Sequence, residues 1–209
     1  MFSNNVNKIY LISPANIELN DFAKKLDNLL QDEIIGAFQL RLKNTSYLEV
    51  VHATKTLLPI CKAHNVPYLI NDFYQIARDH DIDGIHIGQS DIESAKLKQE
   101  FSNQKIIGVS CQNSINLAIN AKENGADYVS FGSFFTTKTK QNTKQANLET
   151  LLEWKKNYKL PCAAIGGVNH NNIHQISSLK PEFICVISSI WNNPLDCKLA
   201  LKQLKNSII

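Results

Sequence analysis

No Cys-x-x-Cys pair occurs in this chain, and its cysteines (61, 111, 162, 185 and 197) are odd in number. A zinc ribbon or a complete disulfide framework is therefore not expected. Cys111, Cys162 and Cys185 sit in or beside apolar runs, where a free thiol packs as a small hydrophobe. Long hydrophobic runs are missing too: nothing approaches the roughly 20 apolar residues of a membrane span. The N-terminus, MFSNNVNKIYLISP, lacks a basic stretch followed by an apolar one. No leader or anchor is expected, and the cytoplasm is the expected compartment. Charge of one sign is scarce, with 22 Lys and Arg against 19 Asp and Glu. A formal charge of +3 is too small and dispersed for a nucleic-acid footprint. No linker or low-complexity tract divides the sequence, so one domain over residues 1–209 is expected. The first apolar run has no GxGxxG after it, which argues against a dinucleotide-binding sheet, and no Ser-His-Asp-like triad is evident.

What the chain does have is rhythm. Apolar runs recur at Ile9–Ile12, Phe38–Leu42, Tyr68–Ile70, Gly84–Ile87, Ile106–Val109, Tyr128–Phe131, Cys162–Ile165 and Phe183–Ile187. Each has the length of a strand. Runs that are apolar throughout, rather than alternating, indicate burial on both faces. Between them, Leu19–Leu30, Tyr47–His64, Ile115–Asn124, Leu148–Tyr158 and Leu195–Leu204 carry apolar residues at helical spacing. Asn113 or Ser114 can cap the third of these helices. Gly125 is placed to end it in a left-handed conformation, and Pro194 suits the first turn of the last helix. Eight alternating units predict a single-domain α/β fold, a (β/α)₈ TIM barrel, with a doubly wound open sheet as the alternative. Barrel active sites lie at the C-terminal ends of the strands, so polar groups should gather just after each run.

They do gather there. The second run ends in Gln39, Arg41 and Lys43, alternating with Leu40 and Leu42; on a strand all three would point one way. Two cations there are costly unless an anion meets them. The third run ends in Asn71-Asp72 and the fourth in His86-Ile87-Gly88-Gln89-Ser90-Asp91. Read singly, Asp72 and Asp91 each precede a helical segment and suit an N-cap. Read together, opposite Arg41, Lys43 and Lys140, they can share one Mg²⁺ whose other positions go to water and substrate phosphate. His86, inside its run, suits a satisfied hydrogen bond better than a metal. The fifth run ends in Gly108-Val109-Ser110, the seventh in Ile165-Gly166-Gly167-Val168, and the eighth in Ile187-Ser188-Ser189 before a short apolar turn. Glycines admit an anion close to backbone N–H groups, and barrels often bind phosphate after strands seven and eight.

After the sixth run comes GSFFTTKTK, Gly132–Lys140. Thr137, Thr139 and Lys140 place two hydroxyls and an ammonium within four residues, a set suited to a phosphate. The polar, aperiodic stretch Thr136–Gln145 reads as a long loop. Two anion clusters result. One is cationic, with Arg41, Lys43, Asn71, Asp72, Asp91 and Lys140; the other is uncharged and backbone-rich, with Gly167, Ile187 and Ser188. Together they suit an enzyme that joins two phosphorylated molecules.

Taken in order, QLRLK, IND, DGIHIGQSD, GVSC, TTKTK, AIGGV and VISSI resemble the thiamine-phosphate synthase (thiamine-phosphate pyrophosphorylase) family, from about Ile9 to Leu204. The resemblance implies a (β/α)₈ barrel that couples 4-amino-2-methyl-5-(diphosphooxymethyl)pyrimidine to 4-methyl-5-(2-phosphooxyethyl)thiazole. The products are thiamine phosphate and diphosphate, and Mg²⁺ is the implied cofactor. By the same resemblance Gln39, Arg41, Lys43, Asn71, Ser110 and Lys140 meet the pyrimidine diphosphate, with Arg41, Lys43, Ser110 and Lys140 as the catalytic set. Asp72 and Asp91 bind Mg²⁺. Thr137, Thr139, Gly167, Ile187 and Ser188 hold the thiazole phosphate. The chain departs from the family pattern at Gln112, where a His is frequent, at Ser133 and Thr136, where prolines are common, and at Phe73-Tyr74, where more polar residues are usual. Two alternatives are a thiazole tautomerase-like isomerase, which lacks the IND and TxTK elements, and a non-catalytic phosphate-binding barrel, which has no use for a diphosphate-leaving site. The implied partners are two small-molecule substrates, with no nucleic acid and no membrane. A homo-oligomer is left open.

Overall fold

Every apolar run becomes a strand because each supplies one row of side chains to the barrel interior and another to the surrounding helices. The computed structural model describes residues 6–89, 94–101, 104–136 and 146–209. The strands are β1 (Lys8–Ile12), β2 (Ile35–Leu40), β3 (Tyr68–Asn71), β4 (Gly84–Ile87), β5 (Ile106–Ser110), β6 (Tyr128–Phe131), β7 (Cys162–Ala164) and β8 (Phe183–Val186). They pair in parallel in chain order, and β8 returns to pair with β1. The sheet is therefore a closed (β/α)₈ barrel, and the open-sheet alternative is excluded. Helices between the strands are α1 (Leu19–Leu30), α2 (Tyr47–Ala63), α3 (Tyr74–Asp79), α4 (Ser94–Glu100), α5 (Ile115–Glu123), α6 (Leu148–Asn157) and α7 (Ile173–Ser177); α8 (Ser188–Trp191) and α9 (Cys197–Asn206) follow β8.

Two apolar clusters follow the period-2 alternation of the strands. Tyr10, Ile12, Ala37, Leu69, Tyr128, Ala163, Phe183 and Cys185 fill the interior. Ile9, Leu11, Phe38, Ile70, Ile85, Ile107 and Val129 face outward against helix residues such as Phe22, Leu26, Leu57 and Trp154. The interior fits because large and small residues meet. Gly108 lies in register with Tyr128, and a Cβ built on Gly108 would stand 2.1 Å from the tyrosine Cζ. The cysteines follow the packing reading: all five are free, and all except half-buried Cys197 are buried. Burial pushes the Cys111 thiol up to about 12, which leaves it an inert hydrophobe.

Helix starts are set by local hydrogen bonds. Glu18 caps α1 by accepting from Asn20 and Asp21 N–H, and Ser46 with Glu49 forms a capping box on α2. Ser114 caps α5, whereas Asn113 instead accepts from Asn147 N–H and the Thr150 hydroxyl. Gly125, at φ +83°, follows α5 as expected. Pro194 lies before the last helix rather than in its first turn, because Asp196 caps that helix through Lys198 and Leu199 N–H. The apolar turn after β8 is itself helical. No helix among the described residues is long and apolar enough to cross a membrane.

The closed end of the barrel is held by carboxylates that stand immediately before even-numbered strands. Asp83 accepts from Tyr68 N–H at 2.8 Å, Asp127 from Ile107 N–H at 2.7 Å and Glu182 from Cys162 N–H at 2.8 Å. Lys98 pairs with Asp127 and Lys155 with Glu182. Glu182→Ala strands both the Cys162 N–H and the Lys155 ammonium. It is expected to cost about 1–3 kcal/mol, and hence to lower the calorimetric Tm by several degrees, with steady-state kinetics unchanged.

Candidate active site at the barrel mouth

The residues that end the strands project from the opposite end of the barrel. Gln39 is inward-facing and 2 % exposed, and its Nε2 donates to Asn71 Oδ1 at 2.8 Å. Asn71 Nδ2 donates in turn to Asp72 Oδ2 at 2.5 Å. An ionised carboxylate only accepts, so Asp72 fixes the direction of this chain. Both amides turn their nitrogens toward Asp72, and the Gln39 carbonyl oxygen is left with no hydrogen bond among the described residues.

The sequence places Arg41 and Lys43 on the second strand, but β2 ends at Leu40. The backbone leaves β3 there and follows the loop after β1. Arg41 N–H donates to Ser13 Oγ at 2.8 Å, and Lys43 N–H to the Ala15 carbonyl at 3.0 Å. The three side chains are consequently not equivalent: Gln39 is buried, Arg41 half-buried and Lys43 exposed. Burial pulls the Arg41 guanidinium below its ordinary value, and the charge of nearby Asp72 opposes that pull. Among the described residues no hydrogen bond or ion pair reaches the guanidinium.

The N-cap reading of Asp72 is corrected. Phe73 occupies the N-cap position of α3 and makes no side-chain capping bond. Asp72 itself sits at φ +64°, in the left-handed region that a non-glycine residue adopts at a cost. Its N–H donates to the His86 carbonyl at 3.1 Å. A strained backbone there holds a carboxylate at the rim, where a cap would have turned it into the helix. Gln112, one of the departures from the family pattern, is also left-handed at φ +53°, just past β5.

His86 is satisfied on both ring nitrogens, as its place inside an apolar run suggests. Nδ1 lies 2.8 Å from the Tyr128 hydroxyl and Nε2 2.9 Å from Ser110 Oγ. The Tyr128 hydroxyl also meets that of Tyr10, at 2.9 Å. The two tyrosines read in sequence as hydrophobes. Their inward parity with His86 was the available signal for a polar chain inside the barrel.

On the far side of the mouth, Gly166 and Gly167 follow β7 at φ +108° and +67°. Their carbonyls are taken up within the turn: Phe135 N–H donates to the Gly166 carbonyl at 3.0 Å, and Asn172 Nδ2 to that of Gly167 at 3.0 Å. The Gly167 N–H makes no hydrogen bond among the described residues. A Cβ on Gly167 would meet the Thr136 carbonyl oxygen at 2.6 Å, so the stem of the loop after β6 packs directly on this turn. Half-buried Ile187 precedes α8, whose first residue, Ser188, is exposed. The buried Ser189 hydroxyl has no hydrogen-bond partner among the described residues. Trp191 Nε1 donates to the Ile12 carbonyl at 2.8 Å and ties α8 to β1. Asp91, Thr137, Thr139 and Lys140 lie outside the described residues, and so does the loop over 137–145. Among the described residues no group of three His, Cys, Asp or Glu gathers as a metal cluster.

A guanidinium kept half out of water with no partner among the described residues calls for an anion. Such a guanidinium just past β2, on a rim that also carries the Gly167 N–H past β7 and the Ser188 and Ser189 hydroxyls past β8, defines a phosphate-handling (β/α)₈ enzyme. Comparison with known proteins narrows that class. The chain belongs to the thiamine monophosphate synthase family, whose sequence model matches residues 9–190. The thiamine-phosphate synthase of Pelagibacter ubique is 41% identical over 211 residues, covering 98% of this chain and 100% of that protein. That of Clostridioides difficile is 39% identical over 184 residues, covering 88% and 87%. Among solved structures, thiamine phosphate pyrophosphorylase from Pyrococcus furiosus has a TM-score of 0.83 at 28% identity, covering 96% of this chain and 95% of that one.

Proposed function

We propose that this chain makes thiamine phosphate by joining 4-amino-2-methyl-5-(diphosphooxymethyl)pyrimidine to 4-methyl-5-(2-phosphooxyethyl)thiazole. The observation that carries the reading is the half-buried Arg41 guanidinium beside Asp72, which has no hydrogen bond or ion pair among the described residues. The bond between the pyrimidine methylene and the diphosphate oxygen breaks, and its electron pair leaves with diphosphate. The aminopyrimidine ring delocalises the positive charge left on the methylene. The thiazole nitrogen lone pair then forms the new C–N bond. No protein nucleophile is needed, so catalysis consists of positioning and of stabilising the leaving charge.

Each residue has a part in that scheme. Arg41, Lys43 and Lys140 meet the diphosphate. The free Gln39 carbonyl oxygen, oriented through Asn71 by Asp72, accepts from the exocyclic amine of the pyrimidine. Ser110 stands at the end of β5 as a hydroxyl for the diphosphate. Gly167, Ile187 and Ser188, with Thr137 and Thr139, hold the thiazole phosphate. The donor set suits Mg²⁺, which takes one or two carboxylates and fills its octahedron with water and phosphate oxygens: Asp72 offers an exposed carboxylate, and Asp91 is its counterpart. Bound there, Mg²⁺ would neutralise charge on the departing diphosphate.

Purified protein, both phosphorylated substrates and Mg²⁺ should yield thiamine phosphate, read as fluorescent thiochrome after oxidation. No product at any metal concentration rejects the reading. Asp72→Asn is expected to raise the Mg²⁺ concentration needed for half-maximal rate at least tenfold, with Tm nearly unchanged because Asp72 caps no helix. A normal metal response with early melting would remove Asp72 from the metal site.

A further inference from the structure

Tyr10, Tyr128, His86 and Ser110 form one continuous hydrogen-bonded chain from the middle of the barrel to its mouth. Such a chain can run in two directions, and the directions differ in where the last hydrogen points. In one, Tyr10 donates to Tyr128, Tyr128 to His86 Nδ1, and His86 Nε2–H to Ser110 Oγ. Every hydrogen inside the barrel then has an acceptor, and the Ser110 hydrogen is free to point into the mouth. In the other, Ser110 donates to Nε2, Nδ1–H to Tyr128, and Tyr128 to Tyr10. The Tyr10 hydrogen is then left over. Tyr10 is 1 % exposed, and Tyr128 is its one hydrogen-bond partner among the described residues. An unsatisfied donor in a dry interior is the costly arrangement, so the first direction wins. Burial pushes both phenols well above their ordinary range, which keeps both hydrogens in place.

We propose that Tyr10, Tyr128 and His86 are positioning residues that hold the imidazole as its neutral Nε2–H tautomer and so turn the Ser110 hydrogen outward as a donor to the diphosphate. The assignment of that ligand rests on the reading of Ser110 given above; the direction of the chain does not. Gln89 Nε2 holds the Ser110 carbonyl at 2.5 Å, which fixes the residue's backbone while its hydroxyl turns. Gly108 makes the chain physically available, since only a residue without a side chain leaves room for the Tyr128 ring.

The tautomer is measurable on the wild-type protein without substrate. Long-range ¹H–¹⁵N correlation of the His86 ring, assigned through its backbone, should show the proton on Nε2 and none on Nδ1. An Nδ1–H tautomer or a doubly protonated ring overturns the proposal. Kinetics then test whether His86 acts through Ser110. His86→Leu should lower kcat about tenfold, the scale of one hydrogen bond, with KM for both substrates within twofold. In a Ser110→Ala background the same substitution should change kcat less than twofold. Equal losses in both backgrounds would mean that His86 acts on its own and would overturn the positioning role. A wild-type protein that makes no thiamine phosphate rejects the functional reading and leaves the tautomer result standing. An active enzyme with an Nδ1–H imidazole rejects the chain alone.

Discussion

Arg41→Ala is expected to cost on the order of 10²–10³ in kcat/KM for the pyrimidine diphosphate, the scale for removing one transition-state donor, and to leave Tm equal or higher. The two halves of that result have one cause. A half-buried guanidinium with no hydrogen bond or ion pair among the described residues has lost part of its hydration, which the nearby Asp72 charge only opposes, so it contributes little to folding. Substrate supplies the missing anion. Inorganic pyrophosphate should therefore raise the Tm of the wild-type protein, since a ligand that binds only the folded state stabilises it, and should do so far less in Arg41→Ala. Arg41→Lys should fall between, because an ammonium keeps the charge and loses the planar fork. A variant that melts several degrees early with normal kinetics would show Arg41 to be a structural partner of Asp72.

Gly108→Ala should be strongly destabilising. The added Cβ would lie 2.1 Å from Cζ and 2.4 Å from the hydroxyl oxygen of Tyr128. That ring is fully buried and meets Tyr10 at 6.1 Å and His86 at 5.5 Å, so it has nowhere to retreat. Overpacking of this kind costs typically about 1–3 kcal/mol, occasionally more, and for a chain of this size each kcal/mol lowers Tm by roughly 2–4 °C. Activity should fall as well, because a displaced Tyr128 no longer meets His86. Calorimetry and the coupling assay read the two effects separately. Tyr128→Phe is the comparison: it keeps the ring and adds no overpacking, but it strands the buried Tyr10 hydroxyl hydrogen and so should cost about 1–3 kcal/mol by that route alone. A Gly108→Ala protein with unchanged Tm would mean that β5 and β6 can separate freely at this register.

The barrel was legible in the sequence because both faces of its strands are apolar. Tyr128–Phe131 and Gly84–Ile87 have observed limits identical to the runs read from sequence. The second strand starts three residues earlier than the run Phe38–Leu42, and it ends two residues before that run does because Leu40, Arg41 and Leu42 continue the alternation while the backbone has already turned toward Ser13 and Ala15. Helices α3, α4 and α7 went unread, since five to seven residues do not complete a helical period pattern. Among site residues, types and positions were readable, but hydrogen-bond direction was not. The bonds that orient Gln39 and Ser110 join residues 32 and 24 positions apart, and the Tyr10–Tyr128 bond spans 118. Nothing local announces them.

The carboxylates at the closed end bear on how such a barrel can assemble. Their bonds to backbone N–H groups span only 15, 20 and 20 residues, whereas the Trp191–Ile12 bond that helps close β8 on β1 spans 179. Closing the longer loop costs about 2 kcal/mol more in chain entropy by logarithmic scaling. Local strand–helix–strand units can therefore form early, each fastened at its base, while ring closure comes last. The mouth depends on that final step. Ile187 and Ser188, just past β8, join the same rim as Gln39 and Asn71 only once β8 has met β1, so a chain arrested before closure would hold stable pieces of the barrel and no place for two phosphorylated molecules to meet.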